Sequence, residues 1–171
     1  MAAGFRYAVR HGCTSVVRVD GDGQHAARDA AALLERLGAG GIDVVIGSRY
    51  SEGRSREGST PRRLAQGLLA RLLSWITGEP VTDPTCGCAA FGPRAVELLA
   101  EHHPSGYPEP ALHLLFRRSG LRVLERPIES RPRTAGRSTL TTARLWLAAG
   151  RVGLAMLVVP LRDRTADAPR A

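Results

Sequence analysis

Two aspartates near the start of the chain lie in the hexapeptide DGDGQH, residues 20–25. The preceding apolar run, Ser15–Val19, predicts a strand that ends at the motif. Open α/β sheets bind ligands at the carboxyl ends of their strands. Two carboxylates and an amide oxygen are donors that a hard divalent cation accepts. The spacing therefore predicts a metal site formed by Asp20, Asp22 and Gln24.

The alternative is an ordinary Asp/Gly turn without a ligand, because Asp-Gly pairs are common in turns. A calcium-binding loop of the helix–loop–helix type is excluded. Such a loop needs Glu at its twelfth position, and counting from Asp20 that position is Ala31.

Other polar residues follow predicted strands or begin predicted helices. Arg49 follows the apolar run Ile42–Ile46 and could hold a phosphate, or it could be a surface arginine. Asp83 lies in the turn-forming stretch DPTCG, residues 83–87, where it could orient an acceptor or cap the turn. Glu109 follows Pro108 at the start of a helix, where the helix dipole favours a charged carboxylate, whether it is catalytic or a plain N-terminal acid.

A basic loop at residues 131–138 has the sequence RPRTAGRS. Its three arginines and its glycine would let the loop fold over an anion as a phosphate clamp. The alternative is a solvated basic loop.

Hydrophobic periodicity predicts alternating strands and helices, and hence an α/β fold with a mainly parallel sheet and right-handed crossovers. We predict a buried stripe in the third helix from Leu64, Leu68, Leu72 and Trp75 or Ile76, and irregular structure over Val81–Phe91. So few strands for so many helices indicate the later part of a larger domain. The predicted helices are Gly4–His11, Asp29–Leu37, Arg62–Thr77, Pro93–His102, Pro108–Ser119 and Thr141–Leu161, and the strands are Ser15–Val19, Ile42–Ile46 and Leu121–Glu125.

The formal net charge of +8 lies entirely in the last third of the chain. Residues 1–116 contain 12 Arg and 12 acids, whereas residues 117–171 contain 12 Arg and 4 acids. A basic segment of this kind favours anionic lipid, phosphate substrates or nucleic acid, or it reflects an arginine-rich solvated surface. A nucleic-acid-binding module is disfavoured because the sequence has no recognition motif for it.

The three cysteines, Cys13, Cys86 and Cys88, have no disulfide or zinc spacing, and the N-terminus has no apolar leader, so we expect a cytoplasmic protein. Residues 145–161 are apolar but short for a membrane span and interrupted by Arg151. This segment favours an amphipathic helix at the membrane interface, with a plain packed helix as the alternative.

Taken in order, the motifs DGDGQH, GSRY, DPT-x-G, YPE, E-x-PI and R-x-x-G-x-S resemble family 2 glycosyltransferases of the dolichol-phosphate or polyprenyl-phosphate mannosyl- or glucosyltransferase type. The resemblance spans residues 4–161 and implies an incomplete GT-A fold, Rossmann-like, over residues 1–138. An amphipathic helix over 139–161 and a disordered tail over 162–171 would follow. It also implies Mg²⁺ or Mn²⁺, a nucleoside-diphosphate sugar and a polyprenyl-phosphate acceptor.

The resemblance also assigns roles to individual residues. It implies that Asp20, Asp22 and Gln24 bind the metal. It also implies that Asp22 and Glu109 are catalytic. Donor or acceptor phosphates would be bound by Arg49, Arg133, Arg137 and Ser138, and the acceptor region would contain Asp83, Thr85 and Tyr107. The implied reaction is metal-dependent and inverting, on the inner face of the cell membrane, without nucleic acid and with a homo-oligomer as an open option.

The chain also departs from the family pattern. Only 19 residues precede Asp20, and the family's earlier Pro-x-Tyr-Asn-Glu and Asp-Gly-Ser signatures are absent. Cys86, Cys88 and Ala89 stand where the family tends to have Ser, Phe and Arg, and Ala111 replaces a second acid. The alternative prediction is therefore a truncated, inactive remnant or a non-catalytic partner subunit.

Overall fold

The computed structural model describes residues 1–51, 60–104 and 108–129, together with residues 141, 143, 144, 146, 147, 149 and 150. The predictions for Tyr107, Arg133, Arg137 and Ser138 lie outside the described residues, as do those for the tail 162–171 and most of the helix 141–161. Within the described residues, no helix is long and apolar enough to cross a membrane.

Five helices and four strands form the described fold, and the α/β class is confirmed. The strands are β1 (Val16–Arg18), β2 (Val44–Ser48), β3 (Ala89–Phe91) and β4 (Val123–Pro127). The helices are α1 (Ala2–Arg10), α2 (Ala27–Gly38), α3 (Thr60–Thr77), α4 (Pro93–His102) and α5 (Pro108–Arg118).

The strands form one mixed sheet in the order β1-β3-β2-β4. β3 is antiparallel to both β1 and β2, and β2 is parallel to β4. Three of the four strands therefore run in the same direction, as predicted. However, β1 and β2 are not neighbours, because β3 lies between them.

The prediction that Val81–Phe91 is irregular was wrong at its end, where Ala89–Phe91 forms β3. All three residues of β3 are buried, and Ala90 pairs with Val17 on one side and Val45 on the other. A run of only three residues has too little periodicity to be recognised as a strand. Its tertiary neighbours on both sides specify it instead.

The main core lies between the sheet and helices α1, α2, α4 and α5. Phe91 of β3 contacts Phe5 of α1 edge-to-face, with ring centroids 5.3 Å apart. Leu33 and Leu37 bury the inner face of α2. Pro93 opens α4 at its first turn, where a proline loses no helical hydrogen bond, and this helix has the predicted bounds.

The buried face of α3 is rotated from the one predicted: Leu72 and Ile76 are half-buried and pack against the core, but the rest of the predicted stripe does not. Its buried residues include Ala65, Leu69 and Leu73, whereas Leu64, Leu68 and Trp75 are exposed. The helix carries two adjacent apolar stripes, so its periodicity does not determine which stripe faces the core. Packing against α5 selects the stripe with the smaller side chains.

Candidate functional site

The aspartate-rich turn begins directly after β1, with its carboxylates at the edge of the sheet. Asp20 is exposed, and Asp22 and Gln24 are half-buried. The backbone N–H of Gln24 donates to Oδ1 of Asp22 over 3.1 Å, which holds the turn in shape. Farther on, Oδ2 of Asp29 accepts from the backbone N–H of Ala26 over 3.2 Å and stabilises the start of α2.

The Asp20 carboxylate packs directly against Gly87, which belongs to the second motif. A Cβ added to Gly87 would overlap this carboxylate, so only glycine leaves it room there. From the end of β1, Nε of Arg18 donates to the carbonyl oxygen of Gly87 over 2.7 Å. The structure thus brings together the DGDGQH and DPTCG motifs, which are about 60 residues apart in the chain.

Arg18 also connects the turn to Glu109. Its Nη2 lies 3.8 Å from Oε1 of Glu109, in the first turn of α5. Nη1 of Arg18 is buried and has no hydrogen-bond partner among the described residues. The sequence analysis treated Arg18 only as an interruption of an apolar strand. A single arginine in such a strand was the signal that it has a buried partner.

Arg49 and Asp83 form a closed, buried ion pair. Nε and Nη2 of Arg49 donate to the two carboxylate oxygens of Asp83 over 2.7 and 3.0 Å. The Asp83 side chain is fully buried, and that of Arg49 is 12% exposed. Burial opposes the charged form of Arg49, but the hydrogen bonds and charge of Asp83 outweigh it and raise the arginine pKa.

A hydrogen-bond network extends this pair to the surrounding elements. The hydroxyl of Thr85 donates to Asp83 and accepts from Nη2 of Arg49 over 2.8 Å. Gln66 of α3 donates to the same hydroxyl over 3.1 Å and accepts from the hydroxyl of Tyr50. Both predicted acceptor-region residues described here, Asp83 and Thr85, therefore have structural partners. Phosphate binding by Arg49 stays a prediction.

Two further titratable side chains lie close to Asp83. Burial lowers the pKa of His113 to about 4, although the charge of Asp83 acts in the opposite direction. Burial raises the pKa of Glu125, and hydrogen bonds from Thr82 partly offset this effect. Both residues line a cleft between α5 and β4 that contains none of the predicted site residues.

The cysteines do not form a disulfide or supply a cluster of metal ligands. All three are free thiols. Cys88 lies beside the turn, where burial, followed by the charges of Asp29 and Asp20, raises its pKa to about 11. Its thiol is therefore protonated at neutral pH.

The donor set at the turn matches the chemistry of Mg²⁺ or Mn²⁺. In the described part of the chain, no three His, Cys, Asp or Glu side chains come together as a metal cluster. The turn offers two carboxylates and one amide at the protein surface. Mg²⁺ is usually bound by one or two carboxylates and completes its shell with water and substrate phosphates. The exposed Asp20 carboxylate against Gly87 fits this arrangement.

Comparison with known proteins identifies several relatives. A polyprenol monophosphomannose synthase of Mycolicibacterium smegmatis is 32% identical over 144 residues, which cover 81% of this chain and 54% of that protein. An undecaprenyl-phosphate mannosyltransferase of Micrococcus luteus is 32% identical over 149 residues, covering 81% and 58%. The glycosyltransferase AglJ of Haloferax volcanii is 33% identical over 76 residues, covering 44% and 25%.

No family model matches the chain. The match to the two mannosyltransferases nevertheless extends over most of this sequence, while the chain spans only about half of their length. It confirms the resemblance inferred from the ordered motifs. The chain is a homologue of the family 2 polyprenyl-phosphate glycosyltransferases.

Proposed function

We propose that this chain serves in the transfer of a hexose from a nucleoside-diphosphate sugar to a polyprenyl phosphate, with inversion at the anomeric carbon. The main supporting observation is the convergence of Asp20, Gly87, Arg18 and Glu109 at the end of β1. The relatives support the same class of acceptor, since their names specify polyprenol and undecaprenyl phosphate chemistry.

In this proposal, Asp20, Asp22 and Gln24 hold a divalent cation, Mg²⁺ or Mn²⁺, at the turn. When bound, such a cation neutralises charge on a diphosphate leaving group. Gly87 keeps the Asp20 carboxylate in its exposed position. Asp22 is half-buried and tied to the backbone N–H of Gln24, which limits the orientations of its side chain.

Glu109 is the second carboxylate of the site. Its side chain is 19% exposed and lies beside the buried guanidinium of Arg18, which keeps it near the turn. We propose that it accepts a hydrogen bond from bound sugar or acceptor. An acceptor phosphate oxygen is already ionised, so orientation of the two reactants would supply most of the acceleration, and a strong base would not be needed.

Isothermal titration calorimetry tests this proposal with a panel of nucleoside-diphosphate hexoses in the presence of Mn²⁺. We expect the unaltered chain to bind a member of the panel and Asp22→Ala to abolish that binding. Glu97→Ala removes an exposed carboxylate from α4 and serves as the matched control, which should bind like the unaltered chain.

A second candidate function is favoured by one observation, the closed ion pair in which Arg49 and Asp83, both predicted site residues, bind each other. Under this proposal the chain is an inactive remnant or a partner subunit that contributes no catalysis. Failure of the unaltered chain to bind any donor with Mn²⁺ present would support it and would contradict the first proposal.

A further inference from the structure

The cleft that contains His113 lies at the opposite end of the sheet from the aspartate-rich turn. It has a volume of about 320 Å³ between the end of α3, the second half of α5 and the segment that leads into β4. Strands β1, β2 and β4 run in the same direction. The turn of Asp20 follows the carboxyl end of β1, whereas Ile42 and Leu121 of the cleft precede β2 and β4. The cleft is therefore separate from the proposed donor and metal site.

His113 is a buried polar side chain on the wall of this cleft. It is 6% exposed, and its imidazole forms no hydrogen bond with the described residues. Its ring nitrogens are not among the sealed, unpaired atoms of the described interior, so they are reached from the cleft. Because burial lowers the pKa of His113 to about 4, the ring is neutral at pH 7 and has one donor and one acceptor nitrogen. Buried polar groups are nearly always hydrogen-bonded, so this ring needs a partner that enters the cleft.

Two arginines stand at the mouth of the cleft. Arg117 follows His113 by one helical turn, on the same face of α5. Arg117 and Arg122 both line the cleft and are exposed. Within the described parts of the chain, neither guanidinium lies within 4 Å of a carboxylate. Arginine N–H groups pair well with carboxylates, so the mouth offers donors for an organic anion.

Two glutamates of the cleft limit the charge of that anion. Glu79 is exposed at the mouth, and Glu125 is half-buried in the wall. The Glu125 carboxylate already accepts hydrogen bonds from the backbone N–H groups of Thr82 and Asp83, over 3.0 and 3.4 Å. Since both glutamates repel negative charge, the cleft favours an anion with one negative charge over a phosphate dianion.

The remaining wall of the cleft is largely apolar. Val81 and Leu121 are buried there, and Ile42 and Val123 are half-buried. A cavity of about 150 Å³ is enough to hold benzene. The volume of about 320 Å³ therefore accommodates an aromatic ring or a short branched chain with a polar group at each end.

We propose that this cleft binds a small organic acid that carries one carboxylate and, at the other end of an apolar body, a hydroxyl group. The carboxylate pairs with Arg117 and Arg122 at the mouth. The apolar body packs against Val81 and Leu121, and the hydroxyl forms a hydrogen bond with the imidazole of His113. The inference goes beyond the proposed function, since it requires neither a metal nor a nucleotide sugar.

Nuclear magnetic resonance titration of the ¹⁵N-labelled chain tests the cleft with 4-hydroxyphenylacetate, without donor or metal. We expect saturable binding with a dissociation constant of about 1 mM or below. The amide signals of Gly120 and Leu121 should shift, whereas those of Gly21 and Gly23 in the turn should not. Absence of saturable binding up to about 10 mM, or shifts at the turn in place of the cleft, would overturn the proposal.

Two matched compounds separate the contributions of charge and hydroxyl. Phenylacetate lacks the hydroxyl and should bind about fivefold more weakly, because the hydrogen bond to His113 is lost. The neutral 4-hydroxyphenylacetamide should bind at least about tenfold more weakly, because it cannot form charge-assisted hydrogen bonds with the arginines. Equal affinity of 4-hydroxyphenylacetate and either of these compounds would contradict the proposed ligand class.

Paired arginine variants locate the anion. We expect Arg117→Gln with Arg122→Gln to weaken binding of 4-hydroxyphenylacetate by about tenfold or more. The control is Arg118→Gln with Arg10→Gln, which removes the same charge from exposed positions outside the cleft. It should change the affinity by less than about twofold, because distant surface charges are screened by salt. Similar losses in the two double variants would argue against binding at the mouth of the cleft.

His113→Phe keeps a ring in the cleft and removes both nitrogens. We expect it to lower the affinity for 4-hydroxyphenylacetate to that for phenylacetate, with far-ultraviolet circular dichroism as the check of folding. A preference for the hydroxyl that persists in this variant would contradict the role of His113. The comparison of the three compounds on the unaltered chain depends on no variant. Donor binding with Mn²⁺ is measured separately, so this proposal and the proposed function fail independently.

Discussion

The two acidic motifs of this chain have similar residues but opposite environments. At the end of β1, the Asp20 carboxylate is exposed and lies against a glycine. Near the end of β2, the Asp83 carboxylate is fully buried and bonded on both oxygens by Arg49. The first arrangement leaves carboxylate oxygen accessible for a ligand, and the second uses it to hold two segments together.

The difference shows that an aspartate motif in the sequence does not by itself reveal whether the carboxylate binds a ligand or stabilises the fold. A buried carboxylate must be paired and hydrogen-bonded, because desolvating an isolated charge is very unfavourable. The pair at Asp83 satisfies that requirement internally. The turn at Asp20 keeps its carboxylates at the surface, where a divalent cation and a phosphate can reach them.

The largest effect on stability is expected at the buried ion pair of Arg49 and Asp83. Asp83→Asn keeps the shape of the side chain but leaves the Arg49 guanidinium buried without its counter-charge. Breaking a buried pair in this way typically costs about 3–5 kcal/mol of unfolding free energy. Urea denaturation monitored by circular dichroism measures it.

The control for this substitution is the pair of Arg94 with Asp43, in which the Arg94 side chain is 59% exposed and the Asp43 side chain is 11% exposed. The backbone N–H of Arg122 also donates to Asp43, so the carboxylate keeps a partner when Arg94 is removed. We expect Arg94→Ala to lower the unfolding free energy by less than about 1 kcal/mol. If Asp83→Asn and Arg94→Ala lowered the unfolding free energy by similar amounts, the contrast between the two ion pairs would be wrong.

The next largest effect is a pH dependence of the unfolding free energy that comes from His113, close to Asp83. The pKa of His113 is lowered from 6.5 to about 4 in the folded protein, so between these values the unfolded chain binds the proton and the folded chain does not. Stability should therefore fall as the pH decreases through this window, by up to about 3 kcal/mol from this residue.

Denaturation of the unaltered chain and of His113→Gln at pH 7 and pH 4.5 isolates the contribution of this residue. We expect the stability difference between the two proteins to shift in favour of His113→Gln at the lower pH. A difference that stays constant with pH would show that the pKa of His113 is not lowered in the folded protein.

A smaller effect, on metal affinity, is expected from a glycine that packs against the Asp20 carboxylate. Gly87→Ala places a methyl group where the Asp20 carboxylate lies, so we expect Mn²⁺ affinity in the presence of donor to fall about tenfold, equivalent to about 1.4 kcal/mol. The control is Gly21→Ala, next to Asp20 in the turn, because a Cβ there meets nothing within 4 Å. Equal losses in the two variants would argue against a specific role for the Asp20–Gly87 contact.

The smallest effect on stability should come from Asp20 itself. Because its carboxylate is exposed, Asp20→Asn should change the unfolding free energy by less than about 0.5 kcal/mol. The same substitution should weaken metal-dependent donor binding, measured by calorimetry. A large loss of stability would show that the turn, like the Asp83 pair, is mainly structural.

Much of the element order could be predicted from local signals. The Pro93 helix has the predicted bounds because proline at its first turn gives a clear start, and the predicted strands at Ile42 and Leu121 are shifted by two residues from β2 and β4. The boundaries of β2 are weak because all five of its residues are buried, which removes the alternation of polar and apolar residues. β3 was missed because three residues are too few to show a period.

The sequence by itself determined the lineage, the α/β class and the position of Asp20 and Arg49 at strand ends. These features depend on local motifs and on the periodicity of nearby residues. Tertiary structure alone decided the buried face of α3, the pairing of Arg49 with Asp83, and the meeting of Arg18 with Gly87 and Glu109. Such contacts join residues 34 to 91 positions apart, and their partners are specified by packing and by the need to neutralise buried charge.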